Sequence, residues 1–167
     1  AEVTDTQLTA FSRVNAAGQN IFADFGVWGP HGARLERSMK FKNFVTGPDG
    51  THRLNEIPGA DCLDSWAASW EIFRTVAIMD GCAHPAALDR YAAEFNKICK
   101  RYPQCWHLCA RADIRCRTEF WRAERRRLEA FHAASPQLSA FDPTMPWNAV
   151  IRTSATAQDF WESELKE

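Results

Sequence analysis

The sequence predicts a mainly α protein, a multi-helix bundle built on one long helix with a small β-hairpin appended. The long helix is read from Pro103–Ala134 (PQCWHLCARADIRCRTEFWRAERRRLEAFHAA), where no Pro or Gly follows the first residue. Nothing in that run breaks a helix, and at 1.5 Å per residue it makes a rod of about 45 Å. The bundle is read from two more stretches, 61–80 and 85–102, whose large apolar residues recur in steps of three and four. The hairpin is read from short extended runs flanking Gly47-Pro48-Asp49-Gly50, a sequence suited to turning a chain back on itself. Hydrophobic residues make up 46% of the 167 positions, with seven Trp and eleven Phe. That is the composition of a packed globule, not of a disordered tail.

In chain order, Asp5–Ala17 spaces Leu8, Phe11 and Val14 helically, between a cap at Thr4 or Asp5 and a stop at Gly18. Residues 19–32 are apolar but interrupted by Gly26, Gly29, Pro30 and Gly32, and an irregular connection is expected. Ala33–Lys40 is expected as a short helix with Leu35 and Met39 inward. Phe41–Val45 and Thr51–Ile57 make the hairpin, which Pro58-Gly59 ends. A lone hairpin is marginal in water, so it is expected to lie on the helical body. Asp61–Asp80 reads as a helix capped by Asp61 and stopped by Gly81, with Trp66, Trp70, Phe73 and Ala77 on one stripe. His84-Pro85 starts the next helix, Pro being tolerated at the first helical position, with Leu88, Tyr91, Phe95, Ile98 and Tyr102 inward.

Winding the rod at about 100° per residue puts Trp106, Ala110, Ile114, Trp121, Leu128 and Phe131 on one stripe. Cys105, Cys109, Cys116 and Phe120 extend it along one edge. Residues 135–146 read as a linker, and Trp147–Thr156 and Ala157–Leu165 as two short helical segments. The expected organisation is a helical core over 1–134, carrying the hairpin near 41–57. Residues 135–167 then form a linker and a C-terminal helical segment packed on or beside that core.

Net charge is −1, but unevenly placed. Lys97–His132 holds ten Lys/Arg against four Asp/Glu, while the last eleven residues hold Asp159, Glu162, Glu164 and Glu167 against Lys166. Such asymmetry suits a polyanion partner or head-to-tail contact between copies. The ridge opposite the apolar stripe carries Arg111, Arg115, Arg122, Arg125 and Arg126, with Arg127 beside it. Arg suits bidentate phosphate contact, and these six are the candidate nucleic-acid-binding residues. The blander alternative is a solvated helix face. No apolar run approaches the length of a membrane span and no leader-like segment opens the chain, so an intracellular location, in cytoplasm or nucleus and away from membranes, is expected.

Asp113 and Arg117 are four apart and fall on the apolar side of the rod. A charged pair there needs a partner, and a structural polar pair that sets helix register is the reading adopted. Cys99, Cys105, His107, Cys109 and Cys116 invite a zinc reading. Cys105 and Cys109 are one turn apart, but Cys116 lies about 10 Å further along the same helix and His107 points away from the cysteine edge. Four ligands do not converge, so buried thiols are preferred and no metal or other cofactor is expected. The sequence has no HExxH, Walker loop, G-x-S-x-G or G-x-G-x-x-G, and no catalytic residues are assigned: a non-enzymatic protein is expected.

The order of its segments carries a further signal. GVWGPHGARLERSMKF, the G-P-D-G turn and E-I-P-G are followed by SWAASWEIFRTVAIMD, HPAALDRYAAEFNKICKRYPQCWHL, ARADIRCRTEFWRAERRRLE and FDPTMPWNAVIRTSATAQDFWESEL. This succession resembles the gag-like region of retrotransposon-type mobile-element polyproteins of dinoflagellate genomes. It is more distantly similar to the first-reading-frame product of some fungal and animal retroelements. The resemblance covers Phe25 to Leu165 and rests on packing residues. It implies a gag-like structural module that self-associates, as a homo-oligomer, and packages or escorts RNA or single-stranded DNA. The Cys/His knuckle that commonly follows in such elements is not in this chain, so knuckle-type binding does not carry over. The alternative function is a protein-interaction or targeting module with no nucleic-acid role, docking through aromatics near Trp28 or Trp161.

Overall fold

The computed structural model describes residues 3–23, 25, 39–46 and 52–166, with 39–46 and 52–59 described by their backbone. It is mainly helical. The first helix, α1 (Asp5–Ala16), opens with a capping box. The Gln7 N–H donates to Thr4 Oγ1 at 3.2 Å and the Thr4 N–H donates to Gln7 Oε1 at 3.0 Å, satisfying two donors that a helix start leaves orphaned. Beyond it Gly18 takes the left-handed conformation. The expected helix over 33–40 is not supported at its end, because Met39 and Lys40 belong to β1 (Met39–Thr46). β1 pairs antiparallel with β2 (His52–Gly59), Met39 opposite Gly59 and Thr46 opposite His52. The turn expected at Gly47–Gly50, and Trp28 and Leu35, lie outside the described residues.

Cys62, not Asp61, occupies the N-cap of α2 (Leu63–Asp80). The helix ends as expected at Gly81 (φ 73°), where the Cys82 N–H reaches the Ala77 carbonyl and the Gly81 N–H that of Ile78, the paired closure of a Schellman motif. α3 (Pro85–Arg101) starts with His84 Nδ1 accepting from the Ala86 N–H at 3.1 Å. The inward faces of α2 and α3 meet through aromatic rings. Trp66 stacks on Trp70 (5.2 Å), Trp70 on Tyr91 (5.0 Å), and Trp66 lies 4.4 Å from Phe95. Tyr102 is not part of this stripe. It sits past the helix end, 37% exposed, because Pro103 disfavours the helical conformation in the residue before it and Tyr102 adopts φ −125°, ψ 64°.

The same proline delays the rod, which begins at Trp106 rather than Pro103. It runs as α4 (Trp106–Arg115), a π-helical turn (Cys116–Phe120) and α5 (Trp121–Ala134). A π turn inserts one residue, which in an α-helix amounts to about 100° of rotation. Buried Cys109, Ala112, Asp113 and Cys116 mark the inward face before it, and Trp121, Glu124 and Leu128 the inward face after it. Uniform winding across that turn misplaced Phe131, which is 44% exposed. Asn20 holds the turn: its Nδ2 donates to the carbonyls of Arg117 (3.0 Å) and Thr118 (2.7 Å). A π turn disturbs the regular carbonyl pairing, and a side chain from outside satisfies what it frees.

Asp113 and Arg117, each 1% exposed, form a salt bridge at 2.8 Å inside the core. The Asp113 carboxylate also accepts from Trp66 Nε1 (3.0 Å) on α2 and the Tyr91 hydroxyl (2.8 Å) on α3. Arg117 Nη1 donates to the Ala23 carbonyl (2.7 Å), and its guanidinium lies 4.0 Å from the Phe25 ring centre. One ion pair thus joins α2, α3, the rod and the 20–25 segment. Burial, with the facing carboxylate, pushes the Tyr91 hydroxyl well above its ordinary pKa, so it stays a donor.

The C-terminal helices α6 (Asn148–Ala155) and α7 (Gln158–Glu164) complete the same core. The Trp147 N–H donates to the Cys82 carbonyl and the His84 N–H to Asn148 Oδ1. Ser154 receives two indoles, Trp121 Nε1 on its hydroxyl and Trp161 Nε1 on its carbonyl, both at 2.9 Å.

Removing one partner of a buried ion pair leaves the other uncompensated, which costs about 3–5 kcal/mol. Arg117→Ala and Asp113→Ala are each expected to lower stability by about that amount. The double variant should lose well under the sum, since the two act as a unit. Urea denaturation of the four proteins in the cycle reads this directly; additive losses would show that the pair is not coupled.

Candidate functional site

The arginines expected to form one ridge are divided by the π turn. On α4, Arg111 and Arg115 are exposed. Arg115 donates to Glu119 on the same helix (3.2 Å) and to Glu164 on α7 (2.9 Å). On α5 the extra residue turns Arg125 inward. Its guanidinium lies on the Trp147 ring, 4.6 Å from the centre, and its Nε donates to Glu129 at 2.7 Å. Arg125 Nη1 has no hydrogen-bond partner among the described residues, and the face of the indole takes that place. Arg127 is turned to the other side, where its Nε donates to Glu124 at 3.0 Å. Arg111, Arg122 and Arg126 are exposed and make no ion pair among the described residues.

Arg122, Arg125 and Arg126 come together around an open basin of about 510 Å³. Trp147, Glu129, Gly18, Gln19 and Asn20 complete its lining. Uniform winding already places these three arginines on one face but had no means of finding the basin, which depends on a contact between the rod and the exit of α1. The Gly18–Asn20 stretch carries the only available signals, a helix-stopping glycine followed by a side chain able to cap backbone groups.

The thiols are a separate matter. Among the described residues, no three His, Cys, Asp or Glu side chains are grouped to hold a metal. Cys62 is exposed, Cys105 half-buried, and Cys82, Cys99, Cys109 and Cys116 are buried. Hydrogen bonding to Cys109, with burial, raises the Cys99 thiol. Burial pushes Cys82 and Cys116 up to about 12. These are poor nucleophiles. The aromatic docking expected at Trp161 is overturned, because Trp161 is 3% exposed and bonded to Ser154. No helix among the described residues is long and apolar enough to cross a membrane. Compared with protein-family models, curated proteins and solved structures, the chain matches none of them.

At pH 8 a disulfide reagent is expected to modify Cys62 well ahead of Cys82 and Cys116, whose labelling should wait for unfolding; equal rates would contradict their burial. The same two thiols give a pH dependence of stability. Unfolded, they lose their protons near 9.0; folded, near 12. Their contribution is complete below about pH 9 and is lost as pH rises toward about 12. The urea midpoint is expected to fall over that range, and less steeply in a Cys82→Ala/Cys116→Ala variant.

Proposed function

We propose that this chain is a non-enzymatic gag-like structural module of a retroelement polyprotein, one that self-associates and binds RNA or single-stranded DNA through the basic face of its rod. The accompanying architecture is a multi-helix bundle built on one long helix with a small hairpin appended. The observation that carries the nucleic-acid reading is the exposure of Arg111, Arg122 and Arg126 without an ion pair among the described residues. Unpaired guanidiniums are the groups from which phosphates displace only water and counterions. Arg115, Arg125 and Arg127, already paired with carboxylates, contribute less charge to the face than their number suggests.

Size-exclusion chromatography with light scattering tests both halves of the proposal. With generic RNA or single-stranded DNA, a larger complex is expected at low salt that disperses as salt rises, because phosphate contacts weaken steeply with ionic strength. The chain alone is expected to elute above its monomer mass at high concentration. A monomer indifferent to both nucleic acids at low salt would reject the reading and leave a protein partner as the alternative.

A further inference from the structure

The basin beside α5 differs from the rest of the basic face in having charge to spare and walls that are held in place. Arg122 and Arg126 are one turn apart, exposed and without an ion pair among the described residues, and both line it. Side chains four apart on a helix have Cβ atoms about 5–6 Å from each other, so two guanidiniums here reach one group together. Arg125, which also lines the basin, is held between Trp147 and Glu129. Asn20, another lining residue, is tied to the rod through its two hydrogen bonds at the π turn. Three Arg against Glu129 leave the basin with a net charge of +2.

We infer that this basin is a phosphate site for the backbone of a nucleic acid, with Arg122 and Arg126 as its contact residues. The inference rests on the nucleic-acid reading proposed above and narrows it to two of six arginines. Paired guanidinium forks on successive turns match the oxygens of one phosphate or of two neighbouring ones. The site holds a backbone and does not read bases. Trp147, the aromatic residue lining it, is 1% exposed and has Arg125 on its face, so no base can stack there as bases do on exposed aromatic platforms. Glu129, partly exposed at the same basin, opposes an incoming anion and weakens binding.

The test is fluorescence anisotropy with the full chain and fluorescein-labelled oligothymidylate and oligoadenylate, between about 50 and about 200 mM salt. The expected result is that Arg122→Ala/Arg126→Ala weakens binding by roughly tenfold at the lower salt. It should also flatten the slope of log affinity against log salt by about 1.4, two contacts at about 0.7 each for a single strand. Arg90→Ala, on α3 and already paired with Glu94, should stay within about twofold of the wild type. Glu129→Gln should tighten binding, and the two oligonucleotides should bind alike. Arg122 and Arg126 are exposed, and an unchanged thermal midpoint shows that the variants fold. If the wild type binds and the double variant matches it in affinity and slope, the basin is overturned while the nucleic-acid reading stands. A strong preference for one base would overturn backbone-only recognition. A wild type that binds neither oligonucleotide at the lower salt removes the nucleic-acid reading and the basin with it.

Discussion

The carboxylate of Asp113 is a group the core cannot leave unattended. A buried charge without compensation costs several kcal/mol, and this one is compensated from three directions: an indole of α2, a phenol of α3 and the guanidinium one turn along its own helix. Arg117 in turn must place a second edge, and it does so on the Ala23 carbonyl between aromatic rings. Apolar contacts are tolerant of sliding, but these hydrogen bonds are not. The relative depth of α2, α3 and the rod is therefore set by polar geometry within a core that is otherwise aromatic. Exchanging the pair for apolar residues of like volume would keep burial while removing the constraint on register.

The π turn belongs to the same arrangement. It spans Arg117 itself, and the Asn20 amide bonds the carbonyls of Arg117 and Thr118. The segment that receives the guanidinium at Ala23 thus also supports the turn that presents it. The layout of the surface arginines follows from this interior event. Because the inserted residue rotates α5 against α4, Arg125 is carried onto Trp147, and Arg122 and Arg126 are left at the rim of a basin instead of in line with Arg111 and Arg115.

Helix boundaries marked by local chemistry were legible in the chain. Thr4, Gly81 and His84-Pro85 sit where capping rules put them, and the Trp66–Phe73 and Leu88–Ile98 stripes point inward because nothing perturbs a 3.6-residue period there. Errors appear where a local effect breaks the assumed regularity. Tyr102 was assigned to the core by period and removed from it by the proline that follows. Phe131 was assigned by uniform winding and displaced by the π turn, and Met39 was assigned to a helix and lies in a strand. Trp161 illustrates a different limit: an aromatic residue on a short helix reads equally well as a docking group or a plug, and only its contact with Ser154 decides. Spacing alone could not separate the paired rod arginines from the others, because Arg122 and Arg126 also have a glutamate three residues away, Glu119 and Glu129, yet make no ion pair among the described residues.

The contact of Glu164 with Arg115 bears on the self-association proposed above. The uneven charge of the sequence suggested an acidic end of one copy meeting the basic rod of another. Glu164 instead meets Arg115 within the chain, and α7 is held there by the buried Trp161. An intramolecular partner acts at an effective concentration far above that of a free neighbour, so a second copy gains nothing at Arg115 unless α7 first leaves the core. Leaving would expose an indole and break its hydrogen bond to Ser154, a cost that one exposed ion pair cannot repay. Asp159 and Glu162 remain exposed on α7, yet isolated surface charges of this kind contribute little on their own. The proposed self-association therefore has to use a surface other than the tail-to-rod contact that the charge pattern first suggests.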